Sequence, residues 1–354
     1  MSTVSSSIRA SASLPRWFTP GALILGFALA LTVSTLSGLG SEDTGPNLLT
    51  VAVVGFALYM LITFIASRSV EGKRRATDRL VTGWVTAAFM LAVIPLVSLS
   101  WTVIEKGLNR LDLEFFTNSM RNVVGEGGGA LHAIVGTLEL TGIATLISVP
   151  LGIMTAIYLV EYGRGRLARA VTFFVDVMTG IPSIVAGLFA FSLFLILLGP
   201  ASAINGFAGA ISLAVLMTPV VIRATEEMLK IVPNELREAS YALGVPKWLT
   251  VVKVVIPTAL AGIATGVIIS IARVIGETAP LLLAAGFTTS MNYNPFAEKM
   301  MTLPVFVFTS YANQGTDVQS YIDRAWAGAL TLMIIVMLLN LIARIISKLF
   351  SPKG

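Results

Sequence analysis

Long apolar runs alternate with short polar ones along most of this chain. Eight runs are long enough, or nearly so, to cross a bilayer: residues 21–39, 48–66, 80–104, 134–160, 171–198, 206–222, 256–286 and 325–346. A span needs roughly 20 predominantly apolar residues, because backbone N–H and C=O groups find no partners in lipid and a helix pairs them internally. The pattern therefore predicts an all-α, polytopic membrane bundle. Residues 80–354 would form a six-span domain, preceded by an extension, 1–79, with two spans and a basic linker near 68–79. One polar interlude, 223–253, carries more pattern than a simple connection needs.

Within that interlude the spacing predicts a short amphipathic helix. After Pro233, Asn234 stands where an N-cap would, and Glu235 and Glu238 fall in the first turns, where the helix dipole favours acidic side chains. Leu236, Ala239, Ser240 and Leu243 recur at i, i+3, i+4 and i+7. Gly244 then offers the left-handed conformation that ends helices, and Pro246 suits the start of the next. The residues alone leave two readings open: the helix docks into a partner protein, or it packs on its own membrane domain.

Composition agrees with a membrane protein. The 354 residues are 55% hydrophobic and 12% charged, with a mean hydropathy of +0.86, whereas soluble domains carry about 25% charged residues. Cysteine is absent and His132 is the single histidine, which excludes a disulfide framework, thiolate chemistry and a histidine metal cluster. His132 is read as structural.

The formal charge of +5 matters through its placement. Arg68, Lys73, Arg74, Arg75 and Arg79 lie between runs two and three; Arg164, Arg166 and Arg169 between four and five; Arg223, Lys230, Arg237, Lys247 and Lys253 between six and seven. Arg344, Lys348 and Lys353 close the chain, while Glu42, Asp43 and the stretch 105–129 fall on the opposite connections, where Arg110 has Asp112 and Glu114 beside it. This positive-inside distribution predicts both termini in the cytoplasm of a bacterial-type cell and gives no indication of nucleic-acid binding. The first run, behind Arg9 and Arg16, is expected to be a retained span, since Ser37-Gly38-Leu39-Gly40 lacks a clean small-x-small cleavage site.

The glycine run Gly125-Glu126-Gly127-Gly128-Gly129 is followed by no Gly-Lys-Ser/Thr and preceded by no strand, so it is expected to be a flexible extracytoplasmic loop and no phosphate loop. No Walker-type nucleotide motif occurs anywhere, so ATP-driven work would need a separate ATPase polypeptide.

Glu238-Ala239-Ser240 with Gly244, then Val254, Ile256 and Pro257, resembles the EAA loop of ABC-importer permeases, E-A-A-x3-G-x9-I-x-L-P. The spacing agrees throughout; the apolar residue types and Ser240 depart from it. Further stretches, Pro182-Ser183-Ile184-Val185-Ala186-Gly187-Leu188, Val221-Ile222-Arg223-Ala224-Thr225, Tyr241-Ala242-Leu243-Gly244-Val245-Pro246-Lys247-Trp248, Ala272-Arg273-Val274-Ile275-Gly276-Glu277-Thr278-Ala279-Pro280 and Ala325-Trp326-Ala327-Gly328, are similar to the PstA-type permeases of phosphate importers. The resemblance covers roughly 80–354.

It implies a type I ABC importer permease core with Glu238, Ala239, Ser240, Gly244 and Pro257 at the dock of the ATPase. It also implies a sister permease, a dimer of ATP-binding cassette subunits that hold ATP and magnesium, and an extracytoplasmic phosphate-binding protein. No cofactor would bind to this chain. The two extra amino-terminal spans depart from the six-span pattern.

Ionisable groups inside spans are costly and mark a pathway or a pair. Arg273 and Glu277, four apart in the seventh run, are expected to share a helix face; the reading that they simply neutralise each other stays open beside a substrate role. In the latter, Arg273 offers a planar donor fork to an oxyanion and Glu277 holds the fork in place. Gly276 and Pro280 bracket Glu277 and are expected to loosen the helix. Arg223, Thr278 and Ser183 complete the candidate path, with lipid headgroups or local carbonyls as their alternatives. The sequence thus predicts a phosphate permease subunit without enzymatic activity; another oxyanion such as phosphonate, sulfate or molybdate, or a self-contained anion transporter or channel, are the rivals.

Overall fold

The computed structural model describes residues 13–36, 47–315 and 317–350, and every regular element among them is helical. The expectations attached to Arg9, to residues 37–40, to Glu42 and Asp43 and to Lys353 lie outside the described residues. The chain divides into two compact units, Met1–Ser100 and Trp101–Gly354.

The first unit holds α1 (Phe18–Leu36), α2 (Leu48–Val70) and most of α3 (Lys73–Gly107). Asn47 caps α2 by accepting from the amides of Leu49 and Thr50. Small residues bring α1 and α2 together: a Cβ on Gly26 would lie 2.8 Å from the Tyr59 amide nitrogen. The basic stretch 68–79 is helical except at Glu71 and Gly72, where Gly72 takes φ +89°. The nearly buried Glu71 carboxylate accepts from Arg79 Nε at 2.7 Å and Nη2 at 2.9 Å, Ser67 Oγ at 2.8 Å and the Leu14 amide at 2.7 Å. The Arg79 guanidinium is the main reason the Glu71 carboxyl is held down to about 2; burial opposes it, and the Leu14 and Ser67 donors add to it.

The second unit continues with α4 (Leu113–Thr117), α5 (Leu131–Ile157), α6 (Gly165–Thr179), α7 (Ser183–Leu198), α8 (Gly206–Ile231), α9 (Asn234–Ala242), α10 (Lys247–Thr250), α11 (Ile256–Val274), α12 (Ala279–Ala284), α13 (Leu303–Ala312) and α14 (Val318–Phe350). Wider π turns, Tyr158–Tyr162 and Val251–Val255, extend α5 and join α10 to α11. Among the described residues seven helices are long and apolar enough to cross a membrane, and α6 with α7 makes one further, bent pair.

Two predicted spans come out differently. The run 171–198 is no straight helix: α6 and α7 meet at 109°. Pro182 offers no amide and disfavours helical backbone at Ile181, and Gly180 adds freedom just before it. The run 256–286 breaks after Val274 and resumes as α12, so the loosening expected from Gly276 and Pro280 is a complete interruption.

The core is the contact between α5 and α8. Leu140 and Ala144 pack with Ala210, Leu213 and Met217, all buried. Gly152 admits Val221, whose side chain would lie 2.6 Å from a Cβ there, and Ser148 donates to the Ala214 carbonyl across the pair at 3.1 Å. At the far end of α5, Thr137 Oγ1 accepts from the Leu303 amide at 2.7 Å, seating α13. His132 is buried with its ring edge-on to Phe306, 5.8 Å between centroids, which is a packing role.

The glycine run is not the free loop expected. The buried Arg324 donates to the carbonyls of Gly125 at 2.6 Å and Gly127 at 3.0 Å, and the Gly128 amide donates to Glu114 at 3.1 Å. Gly125, Gly127 and Gly128 take φ between +70° and +83°, and this left-handed backbone brings their polar groups within reach of those partners.

Candidate functional site

The interlude 223–253 contains little loop. Helix α8 continues to Ile231, α9 covers 234–242, and the next helix has begun by Lys247. Asn234 is the first helical residue and not the N-cap; Pro233 takes that position, and the Asn234 side chain accepts instead from Arg237 at 3.3 Å. Gly244 has φ +76° with open space around it, the left-handed stop its spacing predicts.

The faces of α9 bear on the two readings left open above. Among its side chains only Ser240 is buried, and Arg237 beside it on the same face keeps 12% of its side chain exposed. Ser240 Oγ shares a 2.8 Å hydrogen bond with Thr250 Oγ1. The predicted stripe is therefore split: Ser240 turns inward, while Leu236 is 41% and Leu243 84% exposed, with Ala239 and Glu238 exposed beside them. Tyr241, Trp248 and Pro257 are exposed as well. Polar anchors face the protein and apolar residues face outward, the reverse of a helix packed on its own domain.

The inward anchor was not singled out in the sequence. Arg237 reaches Glu161, in the π turn that ends α5, through Nε at 3.0 Å and Nη2 at 2.8 Å. No periodicity connects residues 76 positions apart, and only the fold brings them together.

The candidate path residues fall into two places. Arg223, on α8, is paired with Asp176 of α6 and, at 2.7 Å, with Glu226, which also accepts from Lys230 at 2.6 Å. Of the two readings of Arg223, a substrate path or a reach toward lipid headgroups, this pairing replaces the second. The neighbouring Ala224 faces Gly266 of α11, where a Cβ would lie 2.7 Å from that of Ala224. At about 1.5 Å per residue, Arg273 then stands roughly 10 Å further along α11 than this network.

Arg273 is exposed in the last turn of α11, and Glu277 is half-buried beyond the helix end. The i, i+4 pair expected between them does not form: α11 stops at Val274, so Glu277 no longer continues the helix face. No ion pair to either is found among the described residues. Ser183 opens α7 and Thr278 precedes α12; both are half-buried, and neither hydroxyl bonds a carbonyl of its own helix among the described residues.

These two helix breaks lie side by side. A Cβ on Gly187 would come within 2.6 Å of Pro280 Cα, and further along Ala190 and Phe194 of α7 pack with Ala284 of α12. Ser183 is one turn before Gly187, and Thr278 is two residues before Pro280. α7 starts behind Pro182 with no side-chain cap, so its positive dipole end and first amides open at the level of Glu277 and Thr278. Broken helices of this kind present free backbone groups to ions and anions at the middle of transporters. Glu139, on α5, is a further ionisable residue in a span that the sequence reading passed over; its Oε2 is buried with no partner among the described residues. A cavity of about 880 Å³ lies elsewhere, in the first unit around Phe27, Tyr59 and Met90, and no candidate residue lines it.

The family model described as "Binding-protein-dependent transport system inner membrane component" matches residues 148–353. The chain is 47% identical over 285 residues to "Phosphate transport system permease protein PstA 1" of Mycobacterium tuberculosis (strain CDC 1551 / Oshkosh), covering 80% of this chain and 92% of that protein. It is 38% identical over 283 residues to "Phosphate transport system permease protein PstA" of Yersinia pestis, covering 79% and 92%. Among solved structures, an inward-facing form of the MetNI methionine ABC transporter aligns with TM-score 0.52 at 21% identity, covering 63% of this chain and 96% of that one. A bacterial alginate ABC transporter in complex with a pentasaccharide-bound periplasmic protein aligns with TM-score 0.53 at 14% identity, covering 78% and 98%. These structures bear on the fold alone.

Proposed function

Since the chain belongs to the inner membrane components of binding-protein-dependent transport systems, and among them to the PstA phosphate permeases, we propose that it forms, with a sister permease, the path of an ATP-driven importer of inorganic phosphate. It is a transporter component and no enzyme. ATP and magnesium are held by a pair of ATP-binding cassette subunits, and a phosphate-binding protein delivers substrate on the opposite, extracytoplasmic face. Both termini and α9 face the cytoplasm, in keeping with the basic clusters of 68–79, 164–169 and 223–253.

One observation carries this reading: α9 turns its polar anchors inward, while Leu236 and Tyr241 on it, Leu243 just after it and Trp248 of α10 are left uncovered. Exposed apolar residues grouped on one short segment favour a partner surface. Glu238, Ala239 and Gly244 lie on the same exposed stretch, and the open space around Gly244 lets a partner approach its backbone.

On the substrate side, Arg273 supplies a donor fork that meets no carboxylate among the described residues, and the α7 amino terminus with Ser183 and Thr278 supplies neutral donors. Glu277, four residues on from Arg273 and in no ion pair among the described residues, weakens the hold on an anion and favours release. Arg223, already paired with Asp176 and Glu226, guides the anion on exit through the field of its network.

Uptake of labelled phosphate into vesicles containing the reconstituted complex, in competition with phosphonate, sulfate and molybdate, tests the assignment. Phosphate alone should compete at equimolar concentration. Equal competition by sulfate or molybdate would transfer the assignment to another oxyanion.

A further inference from the structure

Arg237 stands one residue before Glu238-Ala239-Ser240, and three helix ends meet on its guanidinium. Its five N–H groups all have acceptors. Nε and Nη2 reach Glu161 Oε1 at 3.0 and 2.8 Å, Nη2 also reaches the Leu229 carbonyl at 3.0 Å, and Nη1 reaches the Val232 carbonyl at 2.6 Å and Asn234 Oδ1 at 3.3 Å. Leu229 and Val232 close α8, and Glu161 lies in the π turn that closes α5. Lys247 at the start of α10 donates to the Glu161 carbonyl and stands 5.0 Å over the Tyr162 ring.

A pair this buried, with 12% and 5% of the two side chains exposed, is expensive to desolvate and is weak evidence for stability alone. It has another use here, because α9 lacks the apolar contact that would otherwise make it move with the membrane helices. Ser240 ties α9 forward to Thr250. Among the described residues Arg237 is the one side chain of α9 hydrogen-bonded to the end of α5. From there α5 runs unbroken through the core contact with α8 to Thr137, which holds the α13 end.

We propose that Arg237 and Glu161 form the clamp through which displacement of α9 reaches α5, with Arg237 acting as a positioning residue for the docking segment. The proposal rests on the docking reading above and deepens it. A planar fork is required, since one cationic group must bond a carboxylate and two helix-end carbonyls in different directions; a lysine has the charge without that geometry. With the clamp broken, the outward residues of α9 remain available to the ATP-binding subunits. Hydrolysis then continues while less of each stroke reaches the path.

The test measures ATP hydrolysis and phosphate uptake in the same vesicles, with the complete complex carrying Arg237→Gln or Glu161→Gln. Both variants should retain the ATP-binding subunits on purification and hydrolyse ATP within about twofold of the unmodified complex, while phosphate moved per ATP falls by about fivefold or more. Arg237→Lys should recover part of that ratio. An unchanged ratio in both glutamine variants would overturn the clamp, as would loss of assembly in both, which would make the pair a folding contact. If the unmodified complex itself fails to hold the ATP-binding subunits, the docking reading falls, and that result is separate from the first two.

Discussion

Ser240 Oγ and Thr250 Oγ1 share a buried 2.8 Å hydrogen bond that fastens α9 to the segment that follows it. Ser240 is also where the sequence departs from the alanine of the EAA pattern, and Thr250 is the partner that gives the extra hydroxyl a use. Ser240→Ala should cost about 1 kcal/mol in thermal unfolding of the detergent-solubilised chain. Thr250 still has the Pro246 carbonyl at 3.4 Å. Uptake should stay near the unmodified level; a severe loss would mean that the hydroxyl does more than fasten the helix.

Gly187 against Pro280 is the contact that keeps the two helix breaks at one level. A Cβ there would meet backbone, Pro280 Cα at 2.6 Å and its carbonyl oxygen at 2.9 Å, and backbone cannot turn aside as a side chain can. Gly187→Val should therefore destabilise by about 1–3 kcal/mol through overpacking and sharply lower uptake. Gly142→Ala, where nothing lies within 4 Å, is the control and should leave both unchanged. Equal behaviour of the two would dissociate the path from the breaks.

Arg273→Gln should abolish phosphate uptake with assembly intact, because the donor fork is lost and no ion pair among the described residues depends on it. The absence of an Arg273–Glu277 pair gives a second, sharper expectation: in a double-mutant cycle with Glu277→Gln the stability effects should add to within about 0.5 kcal/mol. A coupling well above that would reveal a pair.

The spans and the loosening beside Glu277 were legible in the sequence, because each is written locally, in the apolar runs and in Gly276 with Pro280; the bend before Pro182 in the run 171–198 was not foreseen. Nor were the α9 contacts. Periodicity placed Leu236, Ala239, Ser240 and Leu243 on one stripe but could not say that the stripe would divide, with Ser240 facing Thr250 and Leu243 facing out. Nor could it find Glu161, which meets Arg237 only because α5 and α8 end side by side. The Arg273–Glu277 pair failed for a related reason: i, i+4 spacing makes neighbours only while the helix continues, and the same glycine and proline that suggested loosening end it.

In the amino-terminal unit, Glu71 gives a pH dependence with a definite sign. Its carboxyl is held by Arg79 from an ordinary value of 4.5 to about 2, so the folded state favours the ionised form. The stabilisation is fully present above about pH 4.5 and is lost as pH falls toward 2. The difference in melting temperature between the unmodified chain and Glu71→Gln should be largest near neutral pH and shrink as the pH is lowered through that window. A difference that grew on acidification would contradict the assignment.

This chain should carry phosphate only when a separate ATPase grips α9. Reconstitution of the chain with its sister permease, ATP-binding subunits and phosphate-binding protein, in vesicles loaded with or without ATP, tests it most directly. Uptake should require ATP and every subunit. It should disappear with Gly244→Asp, which places a charged side chain at a φ of +76° on the docking face and should release the ATP-binding subunits from an otherwise inserted permease. Phosphate uptake by this chain alone without ATP, or undiminished uptake by Gly244→Asp, would contradict the account.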